Sequence, residues 1–268
     1  MRKFILVGLA ALAMAAPSWS KPALAAGDGV ALPHVDWSFN GVFGKWDRKQ
    51  LARGWEVYSG VCAACHSLRL VAYRNLIEIG VPESKIKEYM ATKEVDGDPD
   101  DTGEITKRKP NLADRIMGPN YRNEQAARAA NGTALPPDLS LMTKARAGAA
   151  DYVHALMIGY GDAPKTMKDD KGKDVEFKVE SGLYYNKYFP GHKIAMAKPL
   201  NDDGVTYTDG TKATVAQMAT DVAAFLTWAA EPEMEDRKRL GIKALLFLLL
   251  CAGFFYAIKR KVWADLKH

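Results

Sequence analysis

The sequence predicts a mainly α-helical exported domain with long loop insertions, followed by one membrane helix near the C-terminus. Three observations predict this. The chain opens on a short apolar targeting segment. Its middle holds several stretches of helical apolar periodicity separated by Gly- and Pro-rich segments. Its end carries an unbroken apolar run between basic flanks. The 268 residues are 26% charged and 48% hydrophobic, a balance that excludes disordered and low-complexity classes. Three cysteines are too few for a disulfide-stapled secreted scaffold.

Each end is justified by its pattern. Arg2 and Lys3 precede an apolar stretch over residues 4–16, and small residues follow at Ala23, Ala25 and Ala26. That is the layout of a secretory signal peptide, assigned here to residues 1–26. The stretch is shorter than the roughly 20 apolar residues a membrane span needs. Residues 240–258 hold one charge, Lys243, close enough to the end to snorkel to the headgroups. Arg237, Lys238 and Arg239 stand before the run, and Lys259, Arg260, Lys261 and Trp263 after it, as expected of a span rather than a core helix. The expected organisation is a signal peptide at 1–26, an exported domain at 27–236, a membrane anchor with basic flanks at 237–260 and a cytoplasmic tail at 261–268.

Charge follows this division. The whole chain carries a formal +5, yet residues 27–236 hold 26 basic and 31 acidic side chains, a net −5. The positive balance belongs to the targeting and membrane segments. The body suits basic protein partners and argues against nucleic acid. Its 210 residues are enough for one sizeable core.

Within the body, Leu51, Trp55 and Tyr58 recur at helical spacing behind a capping Asp47, so a helix is expected over 47–58. Further helical stretches are expected at 84–92, 123–131, 140–147 and 149–159. Residues 94–104 lack apolar side chains apart from Val95, hold Gly and Pro, and predict a solvated acidic loop. Residues 160–212 predict long loops with a short hairpin. The last helix before the span is expected at 214–230, with Val215, Met218, Val222, Phe225 and Ala229 on one face and Pro232 ending it. It runs almost directly into the anchor, which favours a rigid junction over a flexible tether.

The chemistry lies at Cys62-Ala63-Ala64-Cys65-His66. Cys-x-x-Cys-His is the attachment signature of a c-type haem. Two thiols three residues apart reach the two vinyl groups of one porphyrin, and the adjoining His66 is then held beneath the iron. A zinc site would want a second Cys/His pair, and the remaining cysteine, Cys251, lies in the apolar run. A thioredoxin-like motif would follow a strand in an α/β pattern, which is missing here. One motif implies one covalently attached haem c.

The sixth iron ligand is less determined. Met157 and Met218 fall in helical patterns where packing explains them. Met196 sits in an apolar-rich loop with Pro190 and Pro199 on either side, a suitable place for a ligand approaching the far face. His192 in the same loop and an open face are the alternatives. His/Met ligation suits electron transfer, and an open face suits ligand binding or peroxide chemistry.

Several further stretches carry a resemblance. They are Arg53-Gly54-Trp55-Glu56-Val57-Tyr58 ahead of the haem motif, then residues 126–132, 134–140 (Ala-Leu-Pro-Pro-Asp-Leu-Ser), 144–153, 182–200 and 221–232. The basic tail with its single span completes the set. Together they cover most of residues 50–268, and the chain resembles the cytochrome c1 family, the haem subunit of the cytochrome bc1 complex. The resemblance implies a class I cytochrome c-like haem domain. It implies thioether attachment at Cys62 and Cys65, His66 as proximal ligand and Met196 as distal ligand. Arg146 matches the arginine that pairs with a haem propionate, while Tyr152 and the Pro136-Pro137 turn match the pocket wall. Gly54 and Tyr58 match the contact of the first helix with the one containing Phe225 and Trp228. The family's extra bacterial disulfide has no cysteines here to form it. As implied function, the haem passes one electron from a Rieske iron–sulfur protein to cytochrome c, beside cytochrome b, with no bond-making catalysis by this chain alone. The implied location is a bacterial inner membrane with the haem domain in the periplasm, or the equivalent inner membrane of an organelle. A free-standing tethered carrier and an open-faced haem enzyme or sensor are the other functional classes. The first would have a smaller domain on a flexible linker, and the second would lack Met196 as ligand.

Overall fold

The computed structural model describes residues 30–265 other than 120, 122 and 169–171. The signal peptide expected at 1–26 and residues 266–268 of the tail lie outside the described residues. Helix α1 (Arg48–Gly60) begins where it does because the Asp47 carboxylate accepts the Lys49 and Gln50 N–H groups at 3.0 and 3.2 Å. It buries Leu51, Gly54, Trp55, Val57 and Tyr58. Asn123 and Thr214 cap α3 (Glu124–Ala130) and α5 (Val215–Ala230) in the same way. Between them in sequence lies α4 (Ala149–Ile158), and α2 (Glu83–Ala91) follows α1. These five match the expected helices within one or two residues.

The core is organised by the crossing of α1 and α5. At Gly54 a methyl group would overlap the Asp221 carbonyl and the Phe225 Cβ, so glycine alone lets the two backbones approach. Around that point the Trp55, Tyr58, Phe225 and Trp228 rings pack with neighbouring centroids 5.7–6.0 Å apart. Arg53 spans the same crossing. Its guanidinium donates to Asp221 at 2.9 Å and to Asp209 at 3.0 Å, and Gln217 also donates to Asp221. Asp221 is fully buried, so the guanidinium and amide are what make its charge tolerable there. Helix α5 also packs against α4.

Three expectations need correction. The stretch 140–147 is a run of turns rather than a helix. Asp138 takes the Ser140 N–H, the Met142 and Lys144 N–H groups bond three residues back, and Gly148 enters the left-handed region at φ 85°. These local bonds override the helix preference of its Ala residues. The acidic loop is a hairpin, with β2 (Val95–Pro99) antiparallel to β3 (Ile105–Arg108). The Asp100 carboxylate builds its turn by accepting the Thr102 and Glu104 N–H groups at 2.8 and 2.9 Å, and Asp96 pairs with Lys107. Among the described residues, 160–212 hold two small ladders instead of one hairpin. They are β5 (Thr166–Lys168) with β6 (Asp174–Glu176), and β7 (Tyr184–Tyr185) with β8 (Lys193–Ile194). Unanticipated were β1 (Leu68–Ala72), its partner β4 (Arg115–Ile116) and a 3-10 segment at Tyr73–Ile79.

Helix α6 (Met234–Val262) is 29 residues long, about 43 Å, and is long and apolar enough to cross a membrane. Its first turns are fastened to the N-terminal segment. Glu235 accepts the Trp46 N–H at 2.7 Å and both Arg48 Nη groups at 2.9 Å. Lys238 Nζ donates to the Phe39 and Gly44 carbonyls at 2.7 and 3.1 Å. Trp37, Phe39 and Trp46 stack beneath this clasp and are buried.

Candidate haem site

Helix α1 delivers the Cys-x-x-Cys-His segment. Its last turn tightens into a 3-10 turn at Cys62–Ala64, and the Cys65 and His66 N–H groups both bond to the Cys62 carbonyl, at 3.1 and 2.9 Å. Both thiols are free, Cys62 half-buried and Cys65 exposed. Burial among apolar side chains pushes the Cys62 thiol up to about 12, so the free thiol is protonated at neutral pH and is a poor thiolate nucleophile. Among the described residues no three His, Cys, Asp or Glu side chains converge as a protein metal cluster would require.

His66 is held from two sides. Tyr58 Oη donates to its carbonyl at 2.9 Å. Its Nδ1 lies 2.7 Å from the Pro137 carbonyl, which can only accept, so Nδ1 carries the proton and Nε2 keeps its lone pair. Burial lowers the imidazole pKa, partly offset by the Pro137 carbonyl and the Asp138 charge. A neutral ring with a free Nε2 is the form an iron ligand needs.

The Pro137 carbonyl is itself aimed by a zipper between residues 66–70 and 136–140. Leu139 N–H donates to the Ser67 carbonyl at 2.9 Å. Asp138 accepts the Ser67 hydroxyl at 2.7 Å and the Arg69 N–H at 2.8 Å, and the Ser140 hydroxyl accepts the Leu70 N–H at 3.1 Å. Burial works against the Asp138 charge, but hydrogen bonds from Ser140, Arg69 and Ser67 prevail and hold the carboxyl below its usual range. Gly118 closes the other side, where a Cβ would come within 3.0–3.1 Å of the backbone at His66 and Ser67.

The remaining expected residues form a second group. Tyr152, on α4, is buried, and burial raises its pKa against the opposing Arg146 charge and hydrogen bond. Arg146 is otherwise exposed and also donates to the Ala145 carbonyl at 3.0 Å. Burial likewise raises Tyr160, which lies within electrostatic reach of Tyr152. The Tyr160 hydroxyl donates to the Met196 carbonyl at 3.0 Å. Met196 is half-buried against the core, two residues beyond β8. Asn186, fully buried, pins the same loop by bonding the Leu156 carbonyl, the Tyr188 N–H and the His192 carbonyl at 2.8–3.0 Å. His192 is engaged within its own loop: its Nδ1 lies 2.9 Å from the Lys187 carbonyl and its ring stacks on Tyr185.

His66 and the Pro136-Pro137 turn are thus brought together, and so are Arg146 and Tyr152, with Tyr160 joining the latter to Met196. Pro136 itself is half-buried beside the functional carbonyl of Pro137. Asp138, Ser67 and Tyr160 were missed. Asp138 had a visible signal, a carboxylate directly after a Pro-Pro turn; Tyr160 had none, because its target is a backbone carbonyl 36 residues away. Two thiols beside an imidazole with Nε2 left free are the chemistry that a haem c needs on one side, and the thioether of Met196 is of the type that can complete it.

The family model described as the Cytochrome C1 family matches residues 37–266. The chain belongs to the cytochrome c1 family. It is 48% identical over 246 residues to a cytochrome c1 of Rhodospirillum rubrum, covering 90% of each protein. It is 46% identical to the "Cytochrome b-c1 complex catalytic subunit, mitochondrial" of Candida albicans, over 91% of this chain and 81% of that one. A "Cytochrome b/c1" of Bradyrhizobium diazoefficiens matches at 45% identity over 87% of this chain, which spans 36% of that longer protein. Membership agrees with the mainly helical haem-domain fold expected from the resemblance.

Proposed function

We propose that this chain carries one covalently attached haem c and passes single electrons from a Rieske iron–sulfur protein to cytochrome c within a cytochrome bc1 complex. The observation that carries the reading is the His66 geometry: a Cys-x-x-Cys-His segment whose imidazole has Nδ1 bound to the Pro137 carbonyl and Nε2 left for iron. When bound, the haem supplies an iron that exchanges one electron between its ferric and ferrous states.

The chain's own residues do the rest. Cys62 and Cys65 hold the group by thioether bonds, and His66 is the proximal ligand. The Met196 thioether is the distal ligand and favours the ferrous state, raising the potential. Arg146 meets a propionate and, with Tyr152 and Pro136, walls the site. Residues 1–26 are the signal peptide, the domain at 27–236 lies on the periplasmic or equivalent side, 237–260 anchor it, and 261–268 remain in the cytoplasm. The relative in which b and c1 form one chain supports cytochrome b as a neighbour. The net −5 of the body supports electrostatic steering of a basic acceptor.

Rapid-mixing spectroscopy of the purified complex tests this. Ubiquinol should reduce the haem, and ferric cytochrome c should reoxidise it at a rate that falls severalfold between roughly 50 and 200 mM salt. A haem that ubiquinol leaves ferric contradicts the electron-transfer reading, and a salt-independent rate contradicts the steering.

A further inference from the structure

The N-terminal segment 37–46 carries an unexplained contrast. Trp37, Phe39 and Trp46 are buried, whereas Val42 and Phe43 between them are 62% and 82% exposed. The loop is tightly built. Gly41 takes φ 72°, and at Gly44 a Cβ would overlap the backbone of Phe39 and Asn40, so the chain folds sharply back on itself there. Its two stems are the Phe39 and Gly44 carbonyls that Lys238 holds, and Trp46 N–H is held by Glu235. The tip is therefore fixed to the first turns of α6.

That fixes its height along the anchor. Lys238 precedes Leu240, where the exposed apolar face of α6 begins, by two residues, about 3 Å along the axis. The headgroup layer beside a hydrocarbon core is roughly 5–7 Å deep. Lys45 and Lys243 are exposed around the same level and suit anionic headgroups, while Arg237 and Arg239 beside them are exposed but paired with Glu231 and Asp236. Two apolar side chains on a rigid tip are far short of the roughly 800 Å² per partner that a stable protein contact buries, but they fit an interfacial wedge with a basic collar. We propose that Val42 and Phe43 form a second membrane contact, seated in the lipid headgroup layer beside the start of the span. This rests on reading α6 as the membrane anchor.

Nitroxide accessibility tests it in the assembled complex, reconstituted in phosphatidylethanolamine–phosphatidylglycerol vesicles on a Cys251→Ser background. Labels are placed by Phe43→Cys, by Val42→Cys with the Phe43 ring intact, by Ile105→Cys on the exposed hairpin, and by Leu246→Cys in the span. Expected is an oxygen-to-nickel-chelate collision ratio at 43 and 42 at least about threefold above that at 105, with 246 higher still. A ratio at 43 and 42 equal to that at 105 overturns the proposal by placing the tip in water. Shielding from both reagents overturns it by placing a protein subunit over the tip. A water-like ratio at 246 would instead remove the anchor, and this contact with it.

Discussion

Around His66, five hydrogen bonds join residues 66–70 to 136–140, and the half-buried Asp138 carboxylate accepts two of them. Around Met196, one tyrosine hydroxyl holds the methionine's own carbonyl, behind a two-residue ladder and the Asn186 hub. The histidine side is thus set before any ligand arrives, by bonds among its own neighbours. The methionine side has fewer direct restraints and is the side able to adjust. One segment links them, since residues 137–146 run from the Pro137 carbonyl to Arg146.

Both sides depend on α5, so the largest effect should come from breaking its crossing with α1. Asp221→Ala takes the buried carboxylate from Arg53 and Gln217, leaving the guanidinium with Asp209 alone, and should cost about 2–3 kcal/mol in urea unfolding. A loss under about 1 kcal/mol would mean that the ion pair does not tie the two helices together.

The next effect should distinguish the sides. Asp138→Ala leaves the Ser67 hydroxyl and the Arg69 and Ser140 N–H groups without their acceptor, at about 2–3 kcal/mol. Amide exchange should quicken at Arg69 and Ser140 and stay unchanged at Asn186 and Lys187. The carboxyl is held below its ordinary value of 3.8 in the folded state. Its contribution is therefore complete above that value and is lost as pH falls through the lower folded one. Stability measured from pH 5 to 2 should show this acid limb in the native protein and lose it in Asp138→Asn. Equal acid sensitivity of the two would break the link between the carboxylate and the zipper.

The smallest effect belongs to Tyr160→Phe. Loss of one hydroxyl from the Met196 carbonyl should cost about 1 kcal/mol, with faster amide exchange at Asn186 and Lys187 and none of the Asp138→Ala changes around His66. Changes spreading to Arg69 would show the two sides to be one cooperative unit.

What the sequence made legible follows the range of the forces involved. Asp47, Asn123 and Thr214 act on N–H groups two or three residues away, so the starts of their helices could be read directly. The crossing at Gly54 was legible through resemblance, since a glycine among Trp55 and Tyr58 matches a known helix contact. The turns at 140–147 were hidden because their composition favours a helix, and only the Asp138 carboxylate and the left-handed Gly148 decide otherwise. The hairpin at 95–108 was hidden because its first strand, Val-Asp-Gly-Asp-Pro, is made, apart from Val95, of residues disfavoured in strands, and its second carries Lys107 and Arg108 on opposite faces. In the site, the Cys-x-x-Cys-His motif is contiguous and plain, whereas its second layer consists of side chains meeting backbone carbonyls far away in sequence. Composition leaves no mark of such contacts.

The central claim is that His66 and Met196 together hold the iron. The most direct measurement is a visible spectrum with redox titration of the purified membrane protein beside a Met196→Leu variant. A low-spin spectrum with a far-red sulfur-to-iron charge-transfer band is predicted. In the variant the band should vanish and the positive midpoint fall by on the order of 100 mV or more. A high-spin native spectrum, or a variant indistinguishable from the native protein, would take Met196 off the iron and contradict the account.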